Sequence, residues 1–179
     1  DGPLPYLKRD EIKHFLRAWF NGFASEFDPP IRMCSEGTTP ELGYPEGDHF
    51  KTSDEAQCTR WLRLMFVREE GNDLYLGQAI PRYWMEDGKG ASIQQAASHF
   101  GPLSLRLTSQ VGKGTIQAEL DPPKRNPPSR IYVRLRHPDG KPIRQVTLNG
   151  MAYDKFVPEK DWVVLPGNLE GKQTIVAKY

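Results

Sequence analysis

This chain of 179 residues has little of what usually announces an activity. It holds two cysteines, Cys34 and Cys58, and four histidines. At most one disulfide is available, and neither cysteine has a neighbour at the short spacing of a zinc site. There is no apolar run near 18 residues, which excludes a membrane-spanning helix. There is no Gly-x-Ser-x-Gly elbow, P-loop or dinucleotide fingerprint, so no cofactor is expected. The first residues, Asp-Gly-Pro-Leu-Pro-Tyr, lack the basic and apolar pattern of a signal peptide. The expectation is a soluble protein whose two cysteines say little about compartment, with a periplasmic or secreted location left open.

Charge of one sign is also missing. The 24 Lys/Arg nearly balance 23 Asp/Glu, and a pI near 7.9 argues against a dedicated nucleic-acid binder. The balance conceals an asymmetry: residues 1–90 carry 11 basic against 16 acidic side chains, and residues 91–179 carry 13 against 7. The hydrophobic pattern changes in the same region, from helical spacing to alternation. The reading is α+β, with a helical segment over 1–90 and an all-β domain over 91–179.

In the first segment, Ile12, Phe15, Leu16, Trp19, Phe23 and Phe27 follow the i, i+3, i+4, i+7 rule, with Phe20 widening the stripe. A helix from about Lys8 or Asp10 to Phe27 is predicted, ended by Pro29 and Pro30. A second helix opens at Thr52 with a Thr-x-x-Glu capping box to Glu55, aided by the charge of Asp54. Its stripe is Cys58, Trp61, Leu62, Met65 and Phe66, and Gly71 is its left-handed stop. The two stripes face each other as an antiparallel hairpin. Pro81 then starts a short helix holding Tyr83, Trp84 and Met85, whose aromatics wedge the two segments together or, secondarily, form a sugar-stacking platform.

In the second segment Leu103, Leu105 and Leu107, then Ile116, Ala118 and Leu120, then Ile131, Val133 and Leu135 alternate with polar residues. Gly112-Lys-Gly, Pro138-Asp-Gly-Lys and Asn149-Gly150 punctuate them. Short strands at this spacing with no helix between them predict an antiparallel β-sandwich. Arg130, Tyr132, Arg134 and Arg136 share the side opposite one apolar row. Arginine forks beside an aromatic suit phosphate or acidic sugar, but such a row is more often the solvated or domain-facing side of a sheet, and that is the reading favoured here.

The connector between the two long helices is unusually rich in acids. Pro40 to Gln57 contains Glu41, Glu46, Asp48, Asp54, Glu55 and His49. Asp54 and Glu55 have a sufficient role at the helix start. Glu41, Glu46 and Asp48 have none, which makes them the candidate acid/base carboxylates, with His49 a sugar hydrogen-bonding group or proton carrier. A metal site from Glu46, Asp48 and His49 lacks a recognised ligand pattern, and no metal is expected. The plain alternative is a solvated acidic loop.

Gly47-Asp-His-Phe-Lys-Thr-Ser-Asp-Glu-Ala-Gln, Trp61-Leu-Arg, Leu74-Tyr-Leu-Gly-Gln-Ala-Ile-Pro-Arg-Tyr-Trp, Arg134-Leu-Arg-His-Pro-Asp-Gly and Val146-Thr-Leu-Asn-Gly together resemble the C-terminal portion of bacterial proteins of the six-hairpin glycosidase type. The resemblance covers nearly the whole chain. It implies the last helical hairpin of an (α/α)6 toroid followed by a β-sandwich, supplying one wall of a sugar cleft and inactive alone. Carbohydrate and the rest of the parent chain are the implied partners. Catalytic Glu41, Glu46 and Asp48 and substrate-binding His49, Tyr83 and Trp84 are the site expected on this reading. The alternative is a non-catalytic carbohydrate-binding or protein-interaction module.

Overall fold

The structure, a computed structural model, describes residues 2–28, 33–39, 44–47 and 52–179. They divide into two compact units, one ending at Leu64 and the other running from Met65 to Tyr179. No helix among the described residues is long and apolar enough to cross a membrane.

The first unit begins with a short helix, α1 (Leu4–Lys8), separated from α2 (Ile12–Glu26) by Asp10 at φ +62°. The long helix thus starts two residues later than the apolar spacing alone allows, because the left-handed turn at Asp10 interrupts it. Its buried face is Ile12, Phe15 and Trp19, and Trp19, Phe23 and Phe27 follow one another with near-parallel rings. Two small ladders follow: β1 (Phe27–Asp28) pairs with β2 (Met33–Cys34), and β3 (Gly37–Thr39) with β4 (Tyr44–Glu46). Helix α3 (Thr52–Phe66) opens with Asp54 and Glu55 in its first turn, where the positive end of the helix favours them. Its buried residues are Cys58, Leu64, Met65 and Phe66, whereas Leu62 is 42% exposed. Cys58, Met65 and Phe66 are thus inward as the stripe predicts, Leu62 is not, and Leu64, about 200° round the helix from Leu62, is buried as well. The Trp19 indole donates to the Cys58 carbonyl at 3.3 Å, so α2 and α3 do meet.

In the second unit strand structure begins at Val67, well before residue 90. β5 (Val67–Glu70) and β6 (Asp73–Leu76) form a hairpin with Glu70 opposite Asp73. Gly71, at φ +56°, occupies the first position of the two-residue turn rather than ending a helix. The helix has already stopped at Phe66, and a left-handed glycine serves either purpose. After a 3-10 turn at Arg82–Met85 come β7 (Gly90–Ala96), β8 (Leu103–Gln110), β9 (Thr115–Asp121), β10 (Arg130–Arg134), β11 (Gln145–Leu148), β12 (Met151–Tyr153), β13 (Phe156–Val157), β14 (Trp162–Pro166) and β15 (Gln173–Lys178).

These strands make a five-stranded sheet in the order β13-β14-β10-β6-β5 and a six-stranded sheet in the order β12-β11-β15-β9-β8-β7. All pairs are antiparallel except one: β10 runs parallel to β6, with Ile131 beside Leu74. The purely antiparallel expectation fails here because β7, β8 and β9, which belong to the other sheet, serve as the long crossover that parallel pairing requires. Each sheet contributes one buried row, Leu74, Leu76, Ile131, Val133, Val163 and Leu165 from the first and Leu105, Leu107, Ile116, Ala118, Leu120 and Ile175 from the second. Gly77, at φ +66° just after β6, lies close to the six-stranded sheet: a Cβ there would stand 3.4 Å from Leu107 and 3.3 Å from the Arg134 carbonyl.

Replacing Trp19 with Phe keeps a ring against α3 but deletes its hydrogen bond to Cys58. The expected cost is about 1–2 kcal/mol by denaturant titration, and an unchanged midpoint would mean that the bond contributes nothing.

Candidate functional site

The residues expected to form a site are only partly visible. Glu41, Asp48 and His49 lie outside the described residues. Glu46 is in β4, its backbone opposite Gly37. Tyr83 and Trp84 sit on the 3-10 turn with their rings at 84° and centroids 6.2 Å apart. Tyr83 is 58% exposed and Trp84 half-buried, while Met85 is fully buried. Tyr83 therefore presents a free face and does not act as a buried wedge; Met85 is the residue that anchors the turn.

That turn is held by an ion-pair network. Arg82 donates to the His137 carbonyl at 2.6 Å and to the Asp161 carboxylate at 2.8 Å. Asp161 is buried, stands at φ +60°, and its own carbonyl accepts from the Leu135 amide. Burial pushes its carboxyl above the usual range, and the adjacent Arg82 opposes that rise. Close by, the Tyr179 hydroxyl donates to the Leu135 carbonyl at 2.6 Å. His137 is buried against the Tyr179 ring and held below its ordinary pKa, chiefly by desolvation. Its Nδ1 accepts from the Asp139 amide, which the neutral ring alone does. Through Arg82 the network fastens the turn to the chain after β10 and to the entry of β14.

The arginine row is similarly occupied. On the outer face of the five-stranded sheet, Tyr75 and Tyr132 stack at 4.6 Å and 5°, and Trp162 meets both edge-on. Arg68 lies over Tyr75 at 4.1 Å and Arg134 over Trp162 at 4.9 Å. Arg134 also donates to the Lys160 and Gln78 carbonyls, and Arg136 to the Ile80 carbonyl. Arg130 pairs with Asp73 at 3.4 Å. With these ring faces and guanidinium forks engaged, the row holds the sheet together more than it offers an anion site.

The outer face of the six-stranded sheet is different. Two adjoining clefts, about 250 and 290 Å³ in volume, share Ser92 and Arg106 and run along the β7–β8 pair. Strand register explains the lining: Ser92 lies opposite Arg106, Arg106 opposite Glu119, and Ser104 opposite Asp121. Three strands at about 4.8 Å spacing make this polar row roughly 10 Å across. The pairing slips between Ile93 and Ala96, so a bulge puts Gln94 and Gln95 both at the surface. Gln95 stands at φ +50°, and its backbone N–H donates to the Ser104 hydroxyl at 3.0 Å. Lys172 closes the rim. Three cations, Lys89, Arg106 and Lys172, and two carboxylates, Glu119 and Asp121, converge with the two glutamines and several hydroxyls. The lining of the two clefts includes none of the candidate site residues read from the sequence. Among the described residues no group of three or more His, Cys, Asp or Glu is placed to hold a metal.

No protein-family model matches the chain, and no curated protein matches it. Similar solved structures include a protein titled only as a glycoside hydrolase, at 9% identity and TM-score 0.46, covering 93% of this chain and 28% of that one. A GH127 β-L-arabinofuranosidase from Geobacillus stearothermophilus T6 is similar at 13% identity and TM-score 0.41, covering 93% and 27%. A GH31 dextranase from Flavobacterium johnsoniae, complexed with glucose, reaches 9% identity and TM-score 0.36, covering 60% and 16%. The chain thus spans less than a third of the length of each. At these scores no residue correspondence or activity follows for it.

The fastening network has a clear test. Arg82→Met leaves a buried carboxylate without its cation, at an expected cost of about 3–5 kcal/mol at neutral pH. A carboxyl whose folded pKa is raised is better tolerated as pH falls, since protonated Asp161 needs no counter-charge. The deficit should therefore narrow towards the carboxylate range; a deficit independent of pH would assign the cost to lost packing instead.

Proposed function

We propose that this chain is the carbohydrate-contacting C-terminal part of a glycoside hydrolase-like protein, with a β unit that binds a neutral oligosaccharide along the polar trough of β7, β8 and β9. The observation that carries the reading is the trough itself. A sugar hydroxyl both donates and accepts, so it is matched by neighbouring amides, hydroxyls, carboxylates and guanidinium groups, and the carboxylates of Glu119 and Asp121 among the cations favour a neutral over an acidic chain. The elongated, open form suits an extended glycan rather than a small buried substrate. In this reading the β unit is a non-catalytic binding platform, and the two sheets make a sandwich.

Titration of the chain against panels of neutral oligosaccharides tests it. Arg106→Ala and Glu119→Gln should each weaken binding about ten- to a hundredfold, the range of a lost hydrogen bond to a charged group, with the circular dichroism spectrum unchanged. Absence of binding to any neutral glycan, or binding indifferent to both substitutions, would remove the trough from the proposal.

The sequence resemblance supports the further reading that the helices end an α/α toroid of a longer chain. Phe20 and Phe23 on α2, and Phe27 just beyond its end, stay half-buried, as expected of a helix whose aromatic face meets additional helices there. On that reading Glu41, Glu46, Asp48 and His49 line the sugar cleft of the full protein. Asp48→Asn in the longer chain should lower turnover by about 10²–10⁴ with the fold retained, because the change preserves size and deletes only the charge or proton transfer. Full activity would leave the segment an ordinary acidic loop.

A further inference from the structure

The two cysteines that say so little in the sequence lie side by side in the fold. Their sulfurs are 3.9 Å apart, and both side chains are buried. The residues are 24 positions apart and belong to different elements, Cys34 to β2 and Cys58 to α3.

Their proximity does not depend on loose side chains, because each backbone is tied separately to α2. Next to Cys34, the Ser35 amide and hydroxyl both donate to the Glu26 carbonyl, at 2.8 and 3.2 Å. The Cys58 carbonyl receives the Trp19 indole proton. Cys34 is further paired with Phe27 in the β1–β2 ladder. Closing the gap to the covalent distance of about 2.05 Å asks for rotation of the two side chains and a small backbone shift rather than refolding.

We propose that Cys34 and Cys58 form a structural disulfide when the chain folds in an oxidising compartment, cross-linking β2 to α3. The oxidant is a low-molecular-weight or protein disulfide. One cysteine thiolate attacks it, forming a mixed disulfide and expelling one thiolate; the second cysteine attacks the cysteine sulfur of that mixed disulfide and expels the other. In sum, one external disulfide is reduced to two thiols, and the pair gives up two protons and two electrons to become cystine.

The environment says when this happens. Burial, followed by the mutual influence of the two sulfurs and the nearby charges of Glu26 and Asp54, pushes the Cys58 thiol up to about 12, and burial likewise raises Cys34. The thiolate that exchange requires is scarce in the folded protein, and external disulfides reach buried sulfurs poorly. The bridge therefore closes during folding and is retained afterwards, which makes it a staple and not a switch. It is independent of the sugar-binding reading.

Refolding the reduced chain in a glutathione redox buffer, and separately exporting it to a bacterial periplasm, are two routes to the same measurement. A non-reducing peptide map should contain the Cys34 peptide joined to the Cys58 peptide. The melting temperature should exceed that of the reduced protein by about 5 °C or more, given the typical effect of closing a ring of this size. Cys34→Ala/Cys58→Ala should melt near the reduced protein and be insensitive to the oxidant. Two free thiols after either route, a bridge between chains, or a bridge that lowers the melting temperature would overturn the assignment.

Discussion

The β unit depends on a buried carboxylate and its counter-charge. Asp161 sits in a left-handed turn with its side chain inside, a position that burial alone makes hostile to charge. Arg82 reaches it from the 3-10 turn and spends a second donor on the His137 carbonyl. One guanidinium thereby joins three segments that are distant in sequence: the turn after β6, the end of β10 and the entry to β14. Removing either charge exposes the other, so the pair specifies geometry even where it adds little net stability. The neighbouring arginines extend the same logic, since Arg134 and Arg136 cap carbonyls of Gln78, Ile80 and Lys160 that leave the strands at the sheet's end.

This network was invisible in the sequence because spacing reports which side of a strand a residue occupies and not what lies opposite. The alternation that puts Arg130, Tyr132 and Arg134 on one face is observed, and so are the apolar rows beneath. What alternation left undecided was whether the polar side faces water. The stacked Tyr75 and Tyr132, with cations over the rings, turn that side into a second layer of packing, although it reads as surface in one dimension.

The helices were legible to within a few residues because a 3.6-residue stripe carries its own phase. The misplaced features lay where one residue type serves two purposes. Gly71 suits a helix end and a hairpin turn alike, and the four residues Val67–Glu70 are too short a run for periodicity to arbitrate. The parallel β6–β10 pair was missed for a different reason: a crossover is sought as a helix, while here the other sheet supplies it.

The trough illustrates the same limit at the level of function. Its parts were present in the alternation, as the polar positions between Leu103, Leu105 and Leu107 and between Ile116, Ala118 and Leu120, but they line one trough only through register. A shift of β8 against β9 by two residues would retain every apolar contact in kind and still separate Arg106 from Glu119. The bulge at Gln94–Gln95 adds a second condition, because it alone turns two consecutive amides to one surface. A loop crowded with carboxylates draws notice as a string of letters, whereas a binding surface on a sheet is assembled from residues that are each unremarkable on their own strand. The chemistry of the β unit is therefore set by strand pairing, and the core that fixes the pairing is indirectly the element that builds the site.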